Sequence, residues 1–367
     1  MYQVKDAIDF NKINRVLIIK LRHHGDVLLT SPLFQVIKNH YPHIQTDVLV
    51  YEDTKEMLTL HPAINEVITI DRNWKKLGIK GQLTEEFGLL KRLRNNNYDL
   101  IIHLTEHWRI VIIKRFIRAR YAVAAKYSRR PGLIWRKTFT HHYPVSRRTR
   151  HTIDKHLDSL RRVGIQPDKD ESQLILVPGE DAEKSRDALI KENHIDKYIL
   201  IHPTSRWLFK CWENEKFSEL INKIDTNYSQ YKVVMTAAPN KKEMGMIYSI
   251  LENSSAEIIN LAGKLSLKEL AAFIQKASLF IGVDSVPMHM ASAFDTPCVA
   301  IFGPSDDKEW GPRNSNCKII CKDNFPCRPC ALDGCGGGQI CDCITEITID
   351  EVYSACEELL SDQSISN

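Results

Sequence analysis

Between Leu279 and Phe302 the chain passes from an apolar run through a polar turn and a short helical pattern into a second apolar run. Leu279–Ile281 reads as a buried strand, and Gly282 lets the backbone turn sharply. Asp284 and Ser285 are natural N-cap residues, and Pro287 suits a first helical turn because its missing N–H would be unpaired there anyway. Met288–Phe294 then forms a short helix, and Cys298–Phe302 returns as a strand. Free N–H groups at that helix start point out of the sheet's carboxyl edge, where they can hold a phosphate. Taken alone this is a plain strand–loop–helix of an α/β domain. A second polar loop of similar character, near the N-terminus, adds to it.

The same alternation runs through the rest of the chain. Arg15–Leu21 is a continuous apolar strand of the kind buried in a parallel sheet, and it enters the polar turn Arg22-His-His-Gly-Asp26. Val27–Asn39 is apolar at helical spacing, with Ser31-Pro32 marking either a kink or the true start. Strands follow at Thr46–Val50 and Val67–Ile70 with a helix near Thr54–Leu60 between them, then helix Thr84–Arg94, strand Leu100–His103 and helix Arg109–Ile117. Arg129–Arg150 breaks the pattern and is expected to be a mobile loop facing a ligand or membrane. Thr152–Val163 is helical, and Gly164–Glu180, with Pro167 and Pro178-Gly179, reads as the domain joint. The second half restarts with strand Tyr198–Ile201, helix Glu215–Asp225, strand Lys232–Thr236, a helix over Lys241–Leu251, Ile258–Leu261, and a helix capped by Ser266. A helix near Ile349–Leu360 closes the chain. Such alternation predicts mostly parallel sheets sandwiched by helices. At 367 residues the chain is too long for one core. The boundaries expected are 1–165 and 166–345, with 346–367 a terminal helix. Polar loops at the strand ends of two such halves would form a ligand cleft.

No apolar run approaches the ~20 residues that span a bilayer, and the first ten residues do not resemble a secretory signal. A cytosolic protein with its ten cysteines mostly reduced is therefore expected. The net charge of +4 is modest, but 13 Lys and Arg and no Asp or Glu lie between Glu106 and Asp154. A charge run is ordinarily a solvated face. Here acids are absent over a long stretch that also carries apolar patterning, and anionic lipid, a phosphorylated glycolipid or nucleic acid would each match it.

Three jobs are open to Asp26 after the first strand: capping the next helix, binding a metal, or taking a proton from a substrate hydroxyl. Thr204, Ser205, Arg206 and Lys210 follow a strand in the second half and, with the helix start at Ser285–Met288, resemble a phosphate cradle that works without a metal. Cys317, Cys321, Cys327, Cys330, Cys335, Cys341 and Cys343 cluster near the end. Cys327-Arg-Pro-Cys330 has zinc-ligand spacing, while free thiols or redox-labile pairs in a glycine-rich loop fit the same residues.

Four segments together, Ile18-Ile-Lys-Leu-Arg-His-His-Gly-Asp-Val-Leu28, His202-Pro-Thr-Ser-Arg206 with Lys210, Gly263-Lys-Leu-Ser-Leu267 and Gly282-Val-Asp-Ser-Val-Pro-Met-His289, resemble the lipopolysaccharide heptosyltransferases of glycosyltransferase family 9. The resemblance spans nearly the whole chain. It implies the GT-B fold, two Rossmann-like domains facing across a cleft with the last helix returning to the first, and transfer of heptose from ADP-heptose with inversion, without metal or cofactor. On that resemblance Asp26 would be the general base and Lys210 would balance charge on the departing ADP. Thr204 and Ser205 would bind its phosphates, Leu265 would lie beside adenine, Asp284 would hold heptose hydroxyls, and Ser285, Val286 and the amides up to His289 would meet the diphosphate. Arg22, His23, His24, Arg129 and Arg130 would face a phosphorylated inner-core acceptor at the cytoplasmic membrane surface, the enzyme being peripheral there. Relatives often carry threonine then glycine where this chain has Ser285-Val286, and the ribose-binding glutamate expected just after Pro239 is replaced by Asn240-Lys241-Lys242, with Glu243 farther on. The same residues leave room for a nucleotide-sugar epimerase of the same fold, which needs no acceptor, or for a zinc-stabilised nucleic-acid-binding protein. The basic stretch lacks a recognition helix, which argues against nucleic acid. Arg22–Asp26 is not Gly-x-Gly-x-x-Gly, which argues against a dinucleotide oxidoreductase.

Overall fold

The structure is a computed structural model that describes residues 4–127, 132–145 and 149–365. It divides after Ile175 into two units, ten residues beyond the boundary the sequence suggests. The extra segment, through Ile175, stays with the first unit, where the amide of Ile175 donates to Ser31 Oγ (2.9 Å).

The first unit runs β1 (Arg15–Ile19), α1 (His24–Leu28), α2 (Ser31–His40), β2 (Gln45–Tyr51), β3 (Glu66–Ile70), α3 (Gly78–Asn95), β4 (Leu100–His103), α4 (Arg109–Ile117), β5 (Tyr121–Lys126), α5 (Leu133–Thr138), β6 (His141–Pro144) and α6 (Thr152–Arg161). Its strands form one parallel sheet in the order β3-β2-β1-β4-β5-β6. Val16–Ile19 and Leu100–Ile102 are completely buried, as strands covered on both faces must be.

Three expectations change here. The polar turn before Asp26 is in part a short helix, α1, and Ser31-Pro32 is the true start of the next helix, with proline in its first turn. α3 begins six residues earlier than its apolar spacing indicates, because Gly78–Leu83 contribute no buried residue to mark it. Arg129–Arg150 is not one long loop. It holds α5 and the edge strand β6, anchored by buried Trp135, Phe139 and Tyr143, while Arg129 and Arg130 lie outside the described residues.

In the second unit the order is α7 (Glu180–Glu192), β7 (Tyr198–His202), α8 (Asn214–Asn227), β8 (Lys232–Met235), α9 (Lys241–Asn253), β9 (Ile258–Asn260), α10 (Leu267–Lys276), β10 (Leu279–Val283), α11 (Val286–Ala293), β11 (Cys298–Ile301), α12 (Asp307–Trp310), β12 (Cys317–Ile320), α13 (Asp342–Thr345) and α14 (Ile349–Ile365). The sheet is again parallel, in the order β12-β11-β10-β7-β8-β9. Cys317 therefore belongs to a strand rather than to the cysteine-rich loop. α14 puts Val352, Cys356 and Leu360 into this unit's own core, beside Phe217 and Leu220 of α8. The same helix also packs on β10, β11 and β12.

Gly282 is the clearest local correction. It lies inside β10, opposite His202 of β7 and Ala300 of β11, and does not turn the chain. A Cβ there would come within 2.8 Å of the Phe280 ring and 3.0 Å of the His202 carbonyl oxygen. Glycine is required by close packing rather than by a bend.

Candidate active site

Both sheets share one consequence of their winding. In the first, β1 is flanked by β2 on one side and β4 on the other; in the second, β7 is flanked by β8 and β10. Successive connections leave in opposite directions at those points, which opens a crevice at the strands' carboxyl ends. The segments after β1, β7 and β10 carry most of the candidate residues, and Leu265 follows β9.

In the first unit Asp26 sits in the opening turn of α1 with its side chain 23% exposed. Lys20 Nζ lies 3.3 Å from Asp26 Oδ1 and 3.0 Å from His156 Nε2. His156 Nδ1 lies 3.0 Å from the Leu29 carbonyl oxygen, which fixes the tautomer: Nδ1–H donates to the carbonyl, and Nε2 accepts from the lysine. Burial holds His156 well below the ordinary imidazole range, consistent with a neutral acceptor. Burial also lowers Lys20, against the opposing pull of Asp26. The other oxygen of Asp26 has no partner among the described residues. The loop after β4 is tied to this one by the amide of Leu21, which donates to Thr105 Oγ1 (3.0 Å). Lys20 and His156 were not singled out from sequence, since one ends an apolar strand and the other hides on the buried face of α6.

Of the proposed acceptor group, Arg22 is exposed and accepts at its carbonyl from Arg72 (3.0 Å). His23 is the N-cap position of α1. His24 Nε2 is 2.7 Å from the Asp53 carbonyl oxygen, and Arg72 binds the Asp53 carboxylate while lying 3.7 Å over the Tyr51 ring. Arg22 and His24 are thus braced by Arg72, which follows β3, and by Asp53, which follows β2.

In the second unit, Lys210 Nζ donates to Asp284 Oδ2 at 2.6 Å, joining the loops after β7 and β10. Ser205 Oγ donates to the Asp284 carbonyl (3.3 Å), and its amide donates to Cys211 Sγ (3.2 Å). Burial pushes the Cys211 thiol up to about 12, so it stays protonated. Ser285 is the N-cap of α11 but makes no capping bond, and its buried hydroxyl has no partner among the described residues. That hydroxyl, beside the first amides of α11 at Val286 and beyond, is a ready anion donor. His289 is buried one turn farther along α11, and Leu265 is half-buried after β9. Gly263, at φ +71, makes the turn that carries Leu265, where a Cβ would meet Met244 Sδ at 3.2 Å.

Thr204, expected at the phosphates, has a protein partner here. Its hydroxyl donates to Glu243 Oε2 (2.6 Å), an oxygen that also accepts from the Ala238 amide (3.2 Å); Asn240 Nδ2 donates to Oε1 (2.6 Å). Glu243 thereby locks the loop after β7 to the start of α9, a link the sequence reading did not make. His202 lies in the same cluster, 3.0 Å from Thr236 Oγ1, and burial lowers it to about 4.

All ten cysteines are free thiols. Among the described residues the group of three or more potential ligands whose donor atoms lie within 4.8 Å of one another is His40, Asp168 and Glu171, not the cysteines.

Two doubly wound units of this topology, each with its polar residues at the point where the winding reverses, define the GT-B glycosyltransferase architecture. Residues 87–339 match the model of glycosyltransferase family 9 (heptosyltransferase), and the chain belongs to that family. It is 34% identical over 348 residues to lipopolysaccharide heptosyltransferase 3 of Escherichia coli K12, covering 94% of this chain and 98% of that one. It is 27% identical over 310 residues to the lipopolysaccharide core heptosyltransferase OpsX of Haemophilus influenzae, covering 83% of each. Among solved structures, a family 9 glycosyltransferase of Veillonella parvula superposes with a TM-score of 0.83 at 22% identity, covering 98% of this chain and all of that one. The Escherichia coli ADP-heptose lps heptosyltransferase II superposes with a TM-score of 0.76 at 18% identity, covering 95% and 99%.

Proposed function

We propose that the chain transfers heptose from ADP-heptose to a heptose of the lipopolysaccharide inner core, with inversion. The observation that carries this reading is the Asp26 carboxylate, held on one oxygen by Lys20 and open on the other, in a unit of a heptosyltransferase-family chain. The donor belongs to the second unit. Its diphosphate is received by the Ser285 hydroxyl, the first amides of α11 and Lys210, with Ser205 positioning the Asp284 backbone. Asp284 holds heptose hydroxyls with the carboxylate that Lys210 now binds, so Lys210 links sugar recognition to leaving-group charge. Leu265 covers adenine, and His289 supports the diphosphate end of α11. Arg22, His23 and His24, with Arg129 and Arg130, meet the phosphorylated acceptor.

In the reaction the acceptor hydroxyl loses its proton to Asp26 as its oxygen attacks the anomeric carbon from the face opposite the leaving group. The bond to ADP breaks, and Lys210 balances the charge that develops on the diphosphate. One displacement inverts the anomeric centre. The enzyme works peripherally at the cytoplasmic face of the inner membrane, where such an acceptor is found.

The test is ADP release from ADP-heptose with a heptose-containing core acceptor in the presence of a chelator. Release that depends on acceptor and is unchanged by chelator is the expected result. Conversion of the donor without acceptor would point to epimerase chemistry instead, and release abolished by chelator would remove the metal-free charge balance by Lys210.

A further inference from the structure

We infer that the first unit docks on an anionic bilayer through one continuous face made by α3, α4 and α5. This rests on the membrane-face reading above and adds the surface that makes the contact. α3 buries Leu89 and Leu93 but leaves Ile79 (81%), Leu83 and Phe87 exposed, at i, i+4 and i+8 along one side of the helix. An apolar stripe presented to water by an already packed helix marks an interaction surface. The stripe does not stop at α3. Phe87 meets Phe116 of α4 edge-on at 6.2 Å, and Ile112, one turn before Phe116, is 61% exposed. Trp108, ahead of α4, meets the buried Trp135 of α5 at 5.6 Å, and Leu133 and Ile134 beside Trp135 are exposed.

Charge selects the occupant. Lys80 and Lys91 fall on the same side of α3 as Phe87, seven and four residues away, and Arg115, Arg136 and Lys137 are exposed on α4 and α5. Glu86 is taken up by Arg109, and Glu85 lies two residues from Phe87, on the opposite side of the helix. Apolar side chains at the centre with lysine and arginine around them suit an interface of acyl chains and anionic headgroups. No helix among the described residues is long and apolar enough to cross a membrane, so the contact is with the surface layer.

The experiment is co-sedimentation of the full chain with phosphatidylcholine vesicles containing or lacking phosphatidylglycerol. Binding to the anionic vesicles at least about tenfold tighter than to the neutral ones is expected. The variant Ile79→Asp/Leu83→Asp/Phe87→Asp should lose at least about tenfold in that binding. So should Lys80→Glu/Lys91→Glu, which leaves every apolar side chain and the Phe87–Phe116 contact in place and therefore guards against misfolding. Both variants should transfer to a lipid-free core oligosaccharide at the unaltered rate. The inference is overturned if the unaltered protein ignores anionic vesicles, if the charge variant binds like it, or if the face instead mediates self-association that the variants abolish. Because vesicle binding uses no donor, a protein that binds vesicles but transfers no heptose would refute the proposed reaction and leave the docking face standing.

Discussion

Lys20 is the residue on which the geometry of the proposed base depends. A buried ammonium between a carboxylate and a neutral imidazole holds one oxygen of Asp26 and leaves the other without a partner among the described residues. Replacing it by methionine keeps the length of the side chain and removes both bonds. Lys20→Met should fold, with a stability change within about 3 kcal/mol, because His156 then lacks a donor while a costly buried charge is also gone. Its kcat should fall at least about tenfold with donor affinity unchanged, measured by steady-state kinetics beside donor titration. An unchanged kcat would make the pair structural only. Gly282 gives a second test at this scale. Gly282→Ala should lower stability by about 1–3 kcal/mol, read by denaturant unfolding, since the Phe280 ring and the His202 carbonyl leave no room for a Cβ.

At the scale of elements, β4 and α5 meet through an aromatic cluster with a polar member. His103, the last residue of β4, stacks on Phe139 at 6.0 Å, and both its ring nitrogens are buried without partners among the described residues. Burial lowers its imidazole to about 3. Below pH 6.5 the unfolded chain takes up a proton that the folded chain refuses, so stability falls as pH falls through that range, continuing to about 3. At pH 5 this one group costs about 2 kcal/mol relative to neutral pH. His103→Phe fills the same space without a titrating nitrogen, so its Tm should drop less than the parent's between pH 7 and pH 5. An equal drop would show that other groups set the acid sensitivity; His61 and His202, each lowered to about 4 by burial, would be the next candidates. These elements also mark what sequence could and could not show. Val16–Ile19 and Leu279–Ile281 were legible because strands buried on both faces are continuously apolar. α5 and β6 were not, because arginine, histidine and proline outnumber the few buried anchors such as Trp135. Asp26, Lys210 and Asp284 could be found by their place after strands. Lys20, His156 and the Thr204–Glu243 link could not, since each depends on a partner distant in sequence.

Across the whole molecule, the same winding order appears twice, and in each unit it brings the loops after the first and fourth strands together. The first unit uses that place for a carboxylate steadied by a lysine, the second for a lysine, a free serine hydroxyl and a helix start. The division of labour proposed above, proton acceptance in one and diphosphate binding in the other, makes the two separable by mutation. The most direct measurement is turnover of Asp26→Ala with ADP-heptose and core acceptor, together with its affinity for the donor. Turnover lower by at least about a hundredfold with donor affinity largely retained is the predicted result; a variant that turns over at a near-normal rate would contradict it.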